Sequence, residues 1–240
     1  LGKQLSLGFW YRWVWPDGVV DREWLHARRT WSRFVRREIE AHARMGYDSP
    51  KLIFDEIGRQ YDQGSRNAIH RAYRMWTLHR YKQPPPTVPV WVSDFIVKRA
   101  AYWADINEGI VWYESRAVAD VLAFSGLKVY RQGDEIPRHR HACAMSISAH
   151  GTGLNLQAWD RALVLEPPSS GAKWEQLLGR LHRQGQQSDE VIWEVLYHRP
   201  MLKNILRSAR QNARYIQDLT GQKQKLLLSA PLQVRSLFEE

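Results

Sequence analysis

A single cysteine, Cys143, occurs in the 240 residues. It sits in an apolar run, so an internal disulfide is excluded and a reducing, cytoplasmic setting fits. No apolar run approaches the roughly 18 residues of a membrane span, and no signal-peptide pattern opens the chain. No membrane association is therefore expected. The chain also lacks an initial Met, which reads as part of something longer. Gly-Lys-Ser and Gly-Lys-Thr are both missing; the one Gly-Lys pair, Gly2-Lys3, is followed by Gln4. A phosphate-cradling loop of the Walker type is thus absent from these residues. No spacing suggests a Ser–His–Asp or Cys–His pair. His139 and His141 fall on alternate sides of an extended segment with no further ligands at zinc spacing, so no metal site is expected. Acid is the scarcer charge, 25 Asp+Glu against 35 Lys+Arg, and the net +10 points toward a polyanionic partner.

Tryptophan is plentiful: 12 residues, within a hydrophobic content of 44%. The length suits one large domain, or one domain with a sizeable insertion. Residues 1–20 are aromatic-rich (Phe9, Trp10, Tyr11, Trp13, Trp15) and are broken by Pro16, Asp17 and Gly18. A packed aromatic loop is preferred there over a hairpin. Asp21 can cap a long helix running to about Met45 and ended by Gly46, with Trp24, Ala27, Trp31, Phe34, Val35 and Ile39 as its apolar stripe. Arg29, Arg33, Arg36 and Arg37 occupy another face, where they either follow a phosphate backbone or form a solvated face partly neutralised by Glu38 and Glu40. Lys51 to Glu56, KLIFDE, mimics a magnesium-binding strand, but its apolar run is too short and the reading is set aside.

A second helix is expected from Ser65 to about Arg80, burying Ala68, Ala72, Met75 and Trp76. Residues 1–80 hold 15 Lys+Arg against 9 Asp+Glu, so basicity is concentrated in the N-terminal third. Gln83 to Pro89, QPPPTVP, cannot continue a helix and reads as a stiff connector. The expected organisation is a mainly helical, basic, aromatic-rich subdomain at 1–83, a second domain at 84–220 and a tail at 221–240.

Beyond the connector, Ser93 caps a helix through Trp103, and from Gly109 strands alternate with helices. The expected strands are Gly109 to Tyr113, Leu127 to Tyr130, the Cys143 run, the Leu163 run and Val191 to Tyr197. This rhythm predicts an α/β fold with a parallel sheet flanked by helices. Arg131 to Arg140 is short for a crossover helix, so either the lobe is trimmed or those two strands are not parallel neighbours. Met201 to about Leu219 forms a closing helix that buries Leu202, Ile205, Leu206, Ala209, Ala213 and Ile216. Its outer side carries Lys203, Arg207, Arg210 and Arg214. Residues after Gly221 read as loosely ordered, apart from a short apolar anchor at Leu226 to Leu228.

Two segments carry the chemistry. In Trp174 to Gln187, WEQLLGRLHRQGQQ, helical spacing puts Gln176, Gly179, Arg180 and Arg183 on one face, a cationic patch without a carboxylate. Upstream, Ser146 to Glu166 contains Gly151 and Gly153, which let backbone approach a ligand closely and offer free N–H groups to an anion. His150 precedes them and is read as locally hydrogen-bonded.

Together the two segments resemble motifs V and VI of superfamily-two helicases and translocases in their Swi/Snf-like form. Those motifs read like GGxGLNL and RxHRxGQ, and here stand HGTGLNLQ and RLHRQGQ in the same order, about forty residues end to end. A phage-encoded branch, with AHGTG and SGA-like segments ahead of WEQLLGR, is especially similar. The resemblance implies a C-terminal RecA-like lobe of an ATP-dependent DNA helicase or translocase, cytoplasmic, in the host if phage-encoded. ATP with Mg2+ would be held mainly by a first RecA-like lobe not recognisable here, and this piece alone would be inactive. It implies Arg180 and Arg183 as catalytic arginines, Arg183 being the finger, and Gln176, Gly151 and Gly153 at the nucleotide. Ser115, Arg116, Thr152 and Asn155 would meet nucleic acid, duplex DNA above all, joined by Lys203, Arg207 and Arg210 from the basic stripe. The competing reading is a non-catalytic, basic DNA-binding or docking module that kept the fold.

Overall fold

The computed structural model describes residues 2–42, 49–151 and 153–229. The chain divides into two compact units, Tyr11–Val88 and Leu1–Trp10 with Pro89–Glu240. Residues 2–10, grouped by composition with the helical segment, thus cluster with the sheet. A short helix α1 (Gly2–Ser6) opens the chain. Where an aromatic loop was expected, β1 (Phe9–Trp13) is a strand. It pairs with β2 (Thr87–Trp91), which begins inside the proline-rich connector, as the chain passes between units. The ribbon has only two strands, both of them edges, so Pro89 can leave its missing N–H on the unpaired side.

The helical unit contains α2 (Arg22–His42), α3 (Pro50–Asp62) and α4 (Ala68–His79). Asp21 caps α2 by accepting the Trp24 N–H at 2.8 Å. The expected end of that helix near Met45 lies outside the described residues. The α3 helix was not foreseen: Ser49 and Pro50 start it, and KLIFDE contributes Ile53 to its buried side. Trp31, Val35, Ile53, Ile57, Ile69 and Ala72 form the core of the unit. Ala68, expected inside, is exposed.

The larger unit is the α/β fold expected from the alternating pattern. After α5 (Phe95–Ile106) come β3 (Ile110–Tyr113), α6 (Arg116–Phe124), β4 (Lys128–Tyr130), β5 (Cys143–Ser146), α7 (Ile147–His150) and β6 (Arg161–Val164). Then follow α8 (Gly171–Leu181), β7 (Ile192–Val195), α9 (Pro200–Thr220) and α10 (Lys225–Leu228). The five strands are parallel in the order β4-β5-β3-β6-β7. Continuous apolar runs such as Ile110–Tyr113 are buried on both faces, as a helix-covered parallel sheet requires. One face, with Ile110, Trp112, Cys143, Met145, Ala162 and Val164, packs on Trp174, Leu177 and Leu181 of α8, Ala209 and Ala213 of α9, and Leu226 of α10. Period-two alternation turns Val111, Ala144 and Leu163 to the other face, where α5 contacts β3 and α6 contacts β5.

The open question at Arg131 to Arg140 is resolved: β4 and β5 are parallel neighbours, and residues 131–142 cross between them without a helix. The tail anchor exists as α10, whose Lys225 N–H donates to Glu175 Oε2 at 2.7 Å. Close packing fixes the start of α8, since a Cβ on Gly171 would come within 2.6 Å of the Ala213 nitrogen. No helix among the described residues is long and apolar enough to cross a membrane.

Candidate functional site

The glycine segment begins where β5 leaves the sheet. Ser146 Oγ caps α7 by accepting the Ala149 N–H at 3.4 Å, and the one-turn helix runs into Gly151. Gly151 has an ordinary helical φ of −66°. Its need for glycine is one of space: an added Cβ would lie 2.4 Å from the Ile147 carbonyl oxygen. Gly153 is different, being exposed, with φ +82° and open space around it. Thr152 lies outside the described residues. Asn155 is exposed and donates to Gln157 Oε1 at 2.7 Å.

Helix α8 directs Trp174, Leu177, Leu178 and Leu181 inward and leaves Gln176 exposed. Arg180 is half-buried, and its guanidinium is spent on the glycine segment. Nε donates to the Gly151 carbonyl at 3.1 Å and Nη1 to the Leu154 carbonyl at 2.9 Å. In return, the Leu156 N–H donates to the Arg180 carbonyl at 3.2 Å. Burial, and then the neighbouring Arg183 charge, hold the Arg180 pKa below its usual value.

The helix stops one residue after Arg180, which corrects the expectation that Arg183 shares the helical face. His182 leaves helical geometry with ψ 82°, and Gly185 turns the chain with φ +96°. Gln186 secures that turn, its Nε2 donating to the Trp159 carbonyl at 2.9 Å and the Leu181 carbonyl at 3.1 Å. Gln157 Nε2 donates to the Gln184 carbonyl. The two sequence segments are therefore joined by a network of hydrogen bonds. On this framework Arg183 is exposed and, among the described residues, has no ion-pair partner. Among the described residues, no carboxylate or imidazole bonds to either arginine.

A groove of about 980 Å3 borders the glycine segment, lined by Asp134, Arg138, His150, Gly153, Asn155 and Trp159 among others. Neither Arg180 nor Arg183 lines it. His150 is buried with Nδ1 unpartnered, and burial holds its pKa below the usual value. His141, passed over as a zinc ligand, is hydrogen-bonded at both nitrogens, to the Tyr130 hydroxyl at 3.0 Å and the His139 carbonyl at 2.9 Å.

The β3–α6 turn is anchored by a residue just after β6 that sequence reasoning missed. Glu166 is 1% exposed, and its Oε1 accepts the Ser115 N–H at 2.8 Å and the Glu114 N–H at 3.1 Å. Ser115 Oγ donates to Oε2 at 2.8 Å. Burial pushes the Glu166 carboxyl up, with the donors of Ser115 and Glu114 and the charge of Lys3 offsetting part of it. Ser115 is thereby engaged inside the protein, whereas Arg116 is exposed and 3.9 Å from Asp120. A lone acid closing the apolar run ALVLE was the available signal. Lys203, Arg207 and Arg210 are exposed on α9, and Arg207 donates to Asn204 at 3.0 Å. No hydrogen bond or ion pair among the described residues joins them to the Arg180 turn.

No protein-family model and no curated protein matches the chain. Among solved structures it has a weak similarity to one described as the C-terminal part of the Fun30 ATPase domain. The TM-score is 0.37 at 17% identity, over 48% of this chain and 44% of that one.

Proposed function

We propose that the chain is the C-terminal motor lobe of an ATP-dependent DNA helicase or translocase. The reading is carried by one observation: Arg183 is exposed and free of acids on a turn that Arg180 and Gln186 tie to the glycine segment. A guanidinium carried on a tethered turn and left unpaired suits charge developing on a transferred phosphoryl group. ATP and Mg2+ would be held by a first RecA-like lobe with its own phosphate-cradling loop, for which these residues have no counterpart. In this reading Arg183 is the finger and Arg180 the residue that positions its turn. Gly151 and Gly153 shape the approach to the nucleotide, and Gln176 lies at its rim. Arg116, Thr152 and Asn155, with Lys203, Arg207 and Arg210, contact the DNA backbone. Ser115 acts through the turn it anchors.

The 240 residues alone should release no phosphate from ATP. Combined with a lobe that carries the phosphate loop, they should restore hydrolysis stimulated by duplex DNA. Duplex binding without any such restoration would instead favour a non-catalytic DNA-binding module.

A further inference from the structure

A strongly one-sided distribution of charge lies outside the proposed motor lobe, on α2. Its inner face is fixed by Trp24, Ala27, Trp31 and Val35, all buried. At 3.6 residues per turn the opposite face presents Arg22, His26, Arg29, Arg33, Arg36 and Arg37 within an arc of about 100°. All six are exposed. From Arg22 to Arg37 the stripe is about 22 Å long at 1.5 Å per residue.

Among the described residues of its own unit, no ion pair engages a stripe arginine; those present are Arg59–Glu56 and Lys82–Asp21. Glu23 and Glu38 fall off the stripe; Glu40, four residues after Arg36, shares its face and offsets charge at its C-terminal end only, leaving the stripe from Arg22 to Arg33 without an acid. Arg29 and Arg33, and Arg33 and Arg37, are like charges at i, i+4, a spacing that disfavours the helix unless something outside compensates.

We infer that this face of α2 is a binding surface for the backbone of duplex DNA, separate from the proposed motor lobe. The complementary charge calls for a polyanion of fixed geometry. The stripe contains no aromatic side chain, since Trp24, Trp31 and Phe34 all turn away from it, so it lacks the stacking platform that a single strand uses. A straight helix with arginines on both flanks, Arg29 and Arg36 on one side and Arg37 on the other, fits the roughly 12 Å major groove of B-form DNA. The deep, narrow major groove of duplex RNA does not admit it. Contacts are to phosphates, so binding is independent of sequence and strongly dependent on salt.

The test is binding of a labelled duplex DNA to the whole 240-residue chain, followed by fluorescence anisotropy from about 50 to 200 mM salt. Replacing Arg29, Arg33 and Arg37 together by Gln should weaken binding at least roughly tenfold and reduce the slope of log affinity against log salt by about 2.7. Removing the same charge elsewhere in the unit, by Lys51→Gln, Arg71→Gln and Arg74→Gln, should change affinity by less than roughly threefold. The corresponding triple Lys variant should keep near-native affinity. Should the triple Gln variant not fold, each single Gln substitution should still lower the slope by about 0.9. Equal losses from the two triple Gln variants would show that only net charge matters and overturn the assignment. Tighter binding of single-stranded DNA or duplex RNA would overturn it as well. ATP turnover plays no part in this readout, so the surface stands or falls independently of the motor reading.

Discussion

The Arg180 guanidinium donates to the Gly151 carbonyl oxygen at 3.1 Å, across 29 positions of sequence. A second donation, to the Leu154 carbonyl at 2.9 Å, makes Arg180 a two-pronged clamp on the glycine segment. Replacing Arg180 by Ala should cost about 1–3 kcal/mol in denaturant unfolding, because two carbonyls lose a charged donor. Lys should recover only part of that, since one ammonium cannot reproduce the planar fork. A loss below roughly 0.5 kcal/mol would mean that water replaces the clamp without penalty.

Two glycines close to this clamp should respond in opposite directions. Gly151→Ala places a methyl 2.4 Å from the Ile147 carbonyl oxygen and should destabilise by about 1–3 kcal/mol. Gly179 lies within α8 with nothing within 4 Å of its would-be Cβ, so Gly179→Ala should stabilise by about 0.5–1 kcal/mol. Thermal unfolding of the two variants checks both signs.

Glu166 should leave a signature in stability against pH. Its carboxyl is raised above the ordinary 4.5 by burial, so the folded chain holds that proton more tightly than the unfolded one. The stability it contributes is then fully present below 4.5 and lost as pH rises through the folded-state value. Glu166→Gln is neutral throughout. Its amide oxygen can accept the Ser115 and Glu114 N–H groups, and its NH2 can donate to Ser115 Oγ. Urea unfolding should show the variant gaining on the native protein as pH rises across that window. A constant difference would contradict the raised value.

Cys143 should be unreactive while the sheet is intact. It is fully buried in β5, and burial pushes its thiol to about 12. Only the thiolate is the nucleophile, so a disulfide reagent at mildly alkaline pH should find no thiol in the native chain. After denaturation it should find one. Rapid labelling of the folded protein would mean that the β4–β5 edge of the sheet opens readily.

Much of the fold was legible because parallel strands covered on both faces read as short apolar runs, and the runs at Ile110, Cys143 and Leu163 are such strands. The helices α2 and α9 announced themselves by one apolar stripe each. The hairpin strands β1 and β2 were hidden by composition, one behind tryptophans read as loop packing, the other behind prolines read as a connector. The α3 helix was obscured by the likeness of KLIFDE to a metal-binding strand, although Ser49-Pro50 was a usable start signal. At the site, helical periodicity put Arg180 and Arg183 on one face, but the helix ends at Leu181, so Arg180 turns to the glycine segment and Arg183 follows in the turn. Beyond Leu181 the chain is held by Gln186 reaching the Leu181 and Trp159 carbonyls, and the second of these bonds is a tertiary one that periodicity cannot reveal.

The central claim is that Arg183 neutralises charge on a nucleotide held by another lobe. Single-turnover ATP hydrolysis should therefore be measured with this chain joined to a lobe that carries a phosphate loop, native and with Arg183→Ala, at saturating duplex DNA. The account predicts a fall of about a thousandfold or more with nucleotide binding nearly unchanged. A rate within roughly threefold of native, with the variant folded and binding ATP normally, would contradict it.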